Sequence, residues 1–240
     1  MLEQRKNFSP DRSPESDKMD ALVQLAGTVS HELNNIFTAV AGNLSLLDHE
    51  LEGDQLATFQ DILKAAQRGI DLTSKLQAFA GRQNLTRRKI EIHRVIAKAL
   101  DAQRPSLAGV NLITALAGEE FIVYTDETKL FDTIAELVEN ARAAMPATGG
   151  RLIIQTARQM HGNGRPHALL SISDNGCGMA SDVSARATEP LFTTGRQGIK
   201  AGWGLSNCAG FIRQSGGKMA IQSAPGQGTI VSITLPLESA

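Results

Sequence analysis

The chain has 240 residues, 42% of them apolar and 20% charged, with a formal net charge of −1, as in an ordinary globular protein of one or two domains. The balanced charge and the 4% aromatic content argue against nucleic acid as a main partner. No apolar run approaches the ~18 residues of a membrane span, and the N-terminus lacks a signal-peptide apolar segment.

Residues 1–18 are polar, contain Pro10 and Pro14 and show no periodicity; they read as a flexible leader. From Met19 apolar residues recur at Leu22, Leu25, Val29, Leu33, Ile36, Val40, Leu44, Leu47 and Leu51. Steps of three and four predict a long amphipathic helix. Gly53-Asp54 breaks it, and a second stripe runs through Leu56, Phe59, Leu63, Ala66, Ile70, Leu76 and Phe79 to a stop at Gly81. Residues 19–85 are therefore expected to form an antiparallel helical hairpin. Two copies would bury both stripes in a four-helix bundle, which predicts a homodimer.

Residues 86–240 read as an α/β layer structure with about three helices on one face of a sheet. Strands are expected at Ile90–Ile92, Val110–Ala117, Phe121–Tyr124, Arg151–Thr156, Ala168–Ser173, Met219–Ser223 and Thr229–Leu235. Helices are expected at Arg94–Leu100, at Glu127–Ala144 capped by Asp126, and at Gly204–Ser215. Residues 175–203, rich in Gly, Ser and Thr, read as one long functional loop. Cys177 and Cys208 have no CxxC spacing, which suits a reducing cytoplasm better than a disulfide framework or a zinc site.

Four places carry candidate chemistry. With Leu33 at zero and about 100° per residue, Val29 and Val40 fall on the buried side of the first helix. His31 (about 160°) and Asn35 (about −160°) face away from it. Glu32 beside His31 can hold one ring nitrogen in a fixed tautomer or take its proton, leaving the other free to attack. Glu136 and Asn140, i and i+4 on one helix, offer hard oxygens suited to Mg²⁺. Asp174 follows a strand and can accept a hydrogen bond from an adenine amino group, while Gly176 and Gly178 allow close backbone approach. Gly195–Gly204 leads into a helix N-terminus, an anion-binding arrangement, with Arg196 and Lys200 adding positive charge. Taken singly, these are also what a surface histidine, a polar helix face, a glycine turn and a loop look like.

Their order is more specific. SHELNN at Ser30–Asn35 resembles the H box of histidine kinases, ELVENARAAMP at Glu136–Pro146 the N box, and DNGCGM at Asp174–Met179 the G1 box. EPLFTT at Glu189–Thr194 resembles the F box, AGWGLS at Ala201–Ser206 the G2 box, and GQGT at Gly226–Thr229 the last glycine motif. The resemblance covers residues 20 to 236. It implies a dimerising hairpin followed by a Bergerat-type ATP-binding α/β sandwich with ATP and Mg²⁺ as cofactors. It further implies a response-regulator receiver domain as partner, while the hydropathy above leaves no membrane span expected in this chain. By the same resemblance His31 is the phosphoacceptor, Glu32 its acid–base partner, and Asn35 a helper in phosphotransfer or dephosphorylation. Asn140 ligates Mg²⁺ with Glu136 beside it, and Asp174 reads adenine. Gly176, Gly178, Gly202, Gly204, Leu205 and Thr229 line the nucleotide pocket. Phe192 belongs to a mobile lid and, like Thr194, is among the cofactor-binding residues, and a hinge near Arg82–Arg88 lets the domains swing. The G2-like segment departs from the family pattern at Lys200 and at Trp203, which is expected to pack against the sandwich. The rival reading is a histidine phosphotransferase with a degenerate ATP-binding domain. Others are an ATPase module of a chaperone or topoisomerase, and a scaffold without activity.

Overall fold

A computed structural model describes residues 14–45, 54–79, 84–160, 164–189, 192–193 and 203–238. They divide into two units, Met1–Ala80 and Gly81–Ala240.

The first unit is a pair of helices, α1 (Pro14–Ser45) and α2 (Asp54–Phe79). α1 starts at Pro14, inside the stretch expected to be leader; proline suits a first helical turn, where its missing N–H has no partner to lose. Asn34 and Phe37 of α1 face Thr73 and Gly69 of α2 respectively, so the helices run antiparallel. On α2, Phe59, Ala66 and Thr73, seven residues apart, are buried, and Ser30 is buried on α1. A Cβ on Gly69 would stand 2.6 Å from the Phe37 ring. The glycine, which costs a helix interior about 1 kcal/mol, admits that ring. Thr73 Oγ1 donates to the Ile70 carbonyl (2.9 Å) and lies 3.3 Å from Asn34 Oδ1.

The expected burial of Val29 and Val40 is not met within this chain. Val29 is 48% exposed, Ile36 56% and Val40 39%, and Ile62 and Leu72 on α2 are exposed too. α1 carries two apolar stripes about 100° apart. The stripe through Ser30, Phe37 and Ala41 packs on α2, and the Val29–Ile36–Val40 stripe is left open.

The second unit holds β1 (Arg88–Glu91), α3 (Ile92–Gln103), β2 (Asn111–Ala115), β3 (Ile122–Thr125), α4 (Glu127–Ala144), β4 (Arg151–Met160), β5 (Pro166–Asp174), α5 (Ser181–Arg186), α6 (Gly204–Gln214), β6 (Lys218–Ser223) and β7 (Thr229–Pro236). The main sheet has the order β2-β4-β5-β7-β6; β2 pairs parallel to β4 and the other pairs are antiparallel. β1 and β3 form an antiparallel ribbon, and the bridge Val123–Leu237 joins it to the residue that follows β7. Alternate residues Leu152 and Ile154, Ala168, Leu170 and Ile172, and Val231, Ile233 and Leu235 point into the core, as the period of two requires. Against them pack Ile92, Val95, Ile96 and Ala99 of α3, Leu130, Ile134, Leu137 and Val138 of α4, and Phe211 and Ile212 of α6.

One expectation changes here. The stretch 175–203 contains the short helix α5. Of the hinge expected near Arg82–Arg88, residues 82–83 lie outside the described residues, and Thr86–Arg88 are held within the second unit. The Thr86 N–H donates to Asp126 Oδ2 (2.8 Å), Arg87 donates to the Gln214 carbonyl (2.7 Å), and Arg88 pairs with Glu127.

Candidate active site

The end of β5 and one face of α4 frame a cavity of about 480 Å³. α4 supplies Glu136, Leu137, Asn140, Ala141 and Ala144, and β5 supplies Ile172 and Asp174. The loop after β5 adds Cys177, Gly178 and Met179. Val183 and Ala187, Phe192 and Thr193, Gly204 and Leu205, Ile221, Thr229 and Val231 complete the wall.

Local sequence explains how these groups are aimed. Asp126 caps α4 through Oδ1, which accepts the Lys129 N–H at 3.0 Å, and the Leu130, Ile134, Leu137, Val138 and Ala141 stripe fixes the helix's rotation. Glu136 and Asn140 then fall on the cavity side, with Asn140 Nδ2 donating to Glu136 Oε1 at 3.2 Å. That contact uses the Asn140 amide N–H and one Glu136 oxygen, so neither the amide oxygen of Asn140 nor the second carboxylate oxygen of Glu136 takes part in it. Gly204 opens α6 against this carboxylate; a Cβ there would stand 2.0 Å from Glu136 Oε1.

Asp174 sits where β5 ends. Its Oδ1 accepts the Gly176 N–H (2.8 Å), and the Thr229 N–H also bonds the carboxylate. Burial pushes its pKa above the usual aspartate value, with the two N–H groups pulling the other way. Asn175 pins the turn: Oδ1 accepts the Arg151 N–H (2.7 Å) and Nδ2 donates to the Gly149 carbonyl (3.0 Å). Gly178 has φ +65° and a Cβ there would lie 1.9 Å from the Ala224 carbonyl oxygen. Gly228, at φ +80°, would meet the Asp174 carbonyl oxygen at 2.0 Å. Both conformations favour glycine, so the backbones of the loop after β5 and of the β6–β7 turn touch directly. The Gly226 N–H donates to the Cys177 carbonyl at 2.7 Å.

Glu136, Asn140, Asp174, Gly178, Phe192, Gly204, Leu205 and Thr229 thus line one cavity. Gly176 lies behind it, where a Cβ would stand 2.6 Å from the Ala144 carbonyl oxygen. Thr194 and Gly202, with Arg196 and Lys200, lie outside the described residues. Phe192 has the Arg186 guanidinium 4.3 Å above its ring, and Arg186 Nε also donates to Glu189 (3.0 Å). Trp203 is buried, as expected. Cys208 is buried against α4, which pushes its thiol up to about 12; Cys177 is exposed. His31, Glu32 and Asn35 lie on α1 in the first unit. Glu32 and Asn35 are exposed, and the His31 side chain lies outside what is described. Sequence reasoning missed Asn175 and Ser223, the latter bonded to Met179 and Thr229. A small polar residue next to a glycine turn carries no signal of its own.

Comparison with known proteins agrees with this geometry. Residues 125–239 match the family of histidine kinase-, DNA gyrase B- and HSP90-like ATPases. Residues 21–84 match the His Kinase A phospho-acceptor domain. Carrying both in this order, the chain belongs to the sensor histidine kinases and forms their catalytic core. Sensor kinase CckA of Brucella abortus (strain 2308) is 32% identical over 236 residues, covering 92% of this chain and 25% of that protein. Sporulation kinase E of Bacillus subtilis (strain 168) is 27% identical over 229 residues, covering 95% of this chain and 30% of that one. The chain therefore spans about a quarter to a third of the length of these relatives. Full-length ShkA in complex with AMPPNP shares the fold at a TM-score of 0.60 and 21% identity, over 90% of this chain and 46% of that one. Acinetobacter baumannii histidine kinase AdeS does so at 0.55 and 19%, over 87% and 98%.

Proposed function

We propose that this chain binds ATP, phosphorylates its own His31 and hands the phosphoryl group to an aspartate of a response-regulator receiver domain. The observation that carries the reading is the convergence of Glu136, Asn140, Asp174, Gly178, Gly204 and Thr229 on one cavity. A phosphotransferase with a degenerate ATP-binding domain would have no reason to keep that wall.

The chemistry assigns each group a task. The adenine amino group donates to Asp174, and the triphosphate runs toward Glu136, Asn140 and the N-terminus of α6. There the backbone N–H groups and the helix dipole favour anions. The Asn140 amide oxygen and the Glu136 carboxylate fit Mg²⁺, which takes hard oxygen ligands and keeps several waters. When bound, Mg²⁺ neutralises phosphate charge. One ring nitrogen of His31 attacks the γ-phosphorus as the bond to the ADP oxygen breaks, and Glu32 takes or orients the proton on the other ring nitrogen. Asn35, one turn further along α1, assists transfer or dephosphorylation.

The open Val29–Ile36–Val40 stripe, with Ile62 and Leu72, supports a homodimer through the hairpin. Among the described residues no helix is long and apolar enough to cross a membrane; together with the need for ATP, this agrees with a cytoplasmic site of action.

The test is incubation of the purified chain with γ-labelled ATP and Mg²⁺ beside a His31→Ala control. Acid-labile, alkali-stable label on the unaltered chain alone is expected. Label on both chains, or an unaltered chain that binds no ATP, would overturn the reading.

A further inference from the structure

The seam between α1 and α2 changes character along its length. Away from His31 it is apolar: Phe37 of α1 sits over Gly69, and Phe59 and Ala66 of α2 are buried. At the level of His31 it is polar. Ser30, 0% exposed, precedes His31 in sequence. Asn34 follows three residues after it and meets Thr73 of α2, which is 1% exposed. Val29 and Ile36 stand close by on the same helix, yet both are exposed. Apolar side chains are thus within reach of this level, and polar ones occupy it.

Polar groups buried in a helix seam cost free energy unless they are hydrogen-bonded. What they supply is register, because a polar pair is satisfied at one rotation and one height only. Thr73 has one hydroxyl hydrogen, and the Ile70 carbonyl 2.9 Å away on its own helix takes it. The Thr73 lone pairs then face the Asn34 amide across the seam at 3.3 Å. A half-turn of that amide exchanges its oxygen for its N–H groups and makes Asn34 the donor. Both side chains are then satisfied, and the bond runs between the helices.

Rotation at this level bears directly on the phosphoacceptor. At about 100° per residue, the His31 position lies about 100° round α1 from Ser30, and Val29 lies as far round on the other side. Turning α1 against α2 turns the His31 position by the same angle.

We infer that Thr73 and Asn34 are positioning residues for phosphoryl transfer to His31: their cross-helix bond fixes the rotation of α1 on α2 at the level of that histidine. The inference rests on the function proposed above. Thr73 lies on the other helix from His31, so it acts on the reaction through Asn34.

The test is the rate of autophosphorylation of the 240-residue chain at varied ATP, beside Thr73→Val, Thr73→Ser, Asn34→Ala and the double variant of Thr73→Val with Asn34→Ala. Valine keeps the shape of threonine and makes the seam more apolar, so helix content in circular dichroism is expected to hold. For Thr73→Val, kcat is expected to fall roughly tenfold with KM for ATP unchanged, as a small misplacement of a reacting group dictates. Thr73→Ser, which keeps the hydroxyl, is expected to retain most of kcat. Asn34→Ala is expected to match Thr73→Val, and the double variant to fall no further, as for two partners in one interaction. A Thr73→Val chain with full kcat overturns the inference and leaves the ATP reading intact. Losses that multiply in the double variant, or a change in KM alone, do the same. An unaltered chain that takes no label overturns both. If Thr73→Val loses helix content, Asn34→Ala decides, because full kcat there leaves the cross-helix bond without a role.

Discussion

The two units satisfy their apolar surfaces in opposite ways. In the second unit, stripes on α3, α4 and α6 meet the inward-facing residues of the sheet, and the result is one continuous core. In the hairpin the buried positions are a mixture of Phe59 and Ala66 with Ser30 and Thr73, while a row of valine, isoleucine and leucine stays in water. The hairpin, taken as one chain, is half of something; the ATPase unit is complete. A kinase that must present a histidine to a catalytic unit and then to a separate partner has use for this division. On the reading proposed above, the self-sufficient unit holds the nucleotide and a second copy completes the helical one.

The largest expected effect breaks the comparison at the hairpin. Replacing Val29, Ile36 and Val40 together with serine should abolish the dimer in analytical ultracentrifugation while leaving nucleotide binding unchanged. A variant that stays dimeric would place the interface elsewhere.

Next in size is Asp174→Asn. Asparagine can still accept the Gly176 N–H but presents no charge to an adenine amino group. ATP affinity should fall by roughly ten- to a hundredfold, the range for a lost charge-assisted hydrogen bond, with dimerisation untouched. Titration calorimetry on the same preparation reads the first, ultracentrifugation the second.

The same carboxylate gives a pH signature. Its pKa lies above the ordinary 3.8, chiefly through burial. The folded-state value thus exceeds the unfolded one, so the stability linked to Asp174 is fully present below the unfolded value. It is lost as pH rises through the folded value. Adenine binding needs the ionised form, so affinity should weaken as pH falls through that raised value, earlier than an ordinary aspartate would dictate. Asp174→Asn should flatten both profiles.

Gly228→Ala sharpens the comparison within the ATPase unit. It forces a left-handed φ on alanine and drives a Cβ into the Asp174 backbone, and should cost about 1–3 kcal/mol in denaturant unfolding. Gly204→Ala meets only the end of a Glu136 side chain. It should cost less stability than Gly228→Ala and act mainly on nucleotide affinity.

The smallest effect is expected at Glu127. Arg88 and Lys98 hold its carboxyl below the usual range, yet both partners are largely exposed. Glu127→Gln should shift the melting temperature little, and less still at high salt.

Much of this was legible in the chain itself. α4 runs from Glu127 to Ala144 as expected, because a capping aspartate, a 3.6-residue apolar stripe and a following proline and glycines all act locally. Glu136 and Asn140 share a face for the same reason, and Asp174 ends its strand where the alternation stops. β4 outran its expected end at Thr156, because Ala157–Met160 pair with Pro166–Leu169 of β5. Exposed residues held by cross-strand hydrogen bonds leave no hydrophobic trace in the sequence. Periodicity alone pointed to the two amphipathic helices described over 19–45 and 54–79. Which of two apolar stripes on α1 meets α2 was decided only by packing, above all by Gly69 making room for Phe37. The hydrogen bonds of Ser223 likewise became visible only when Met179, Gly228 and Thr229, distant in sequence or separated by a turn, were brought within reach of one hydroxyl. Local propensity and spacing act over a few residues and are written in the sequence. Contacts between backbones and the choice of a partner face depend on shape, which exists only after the chain has folded.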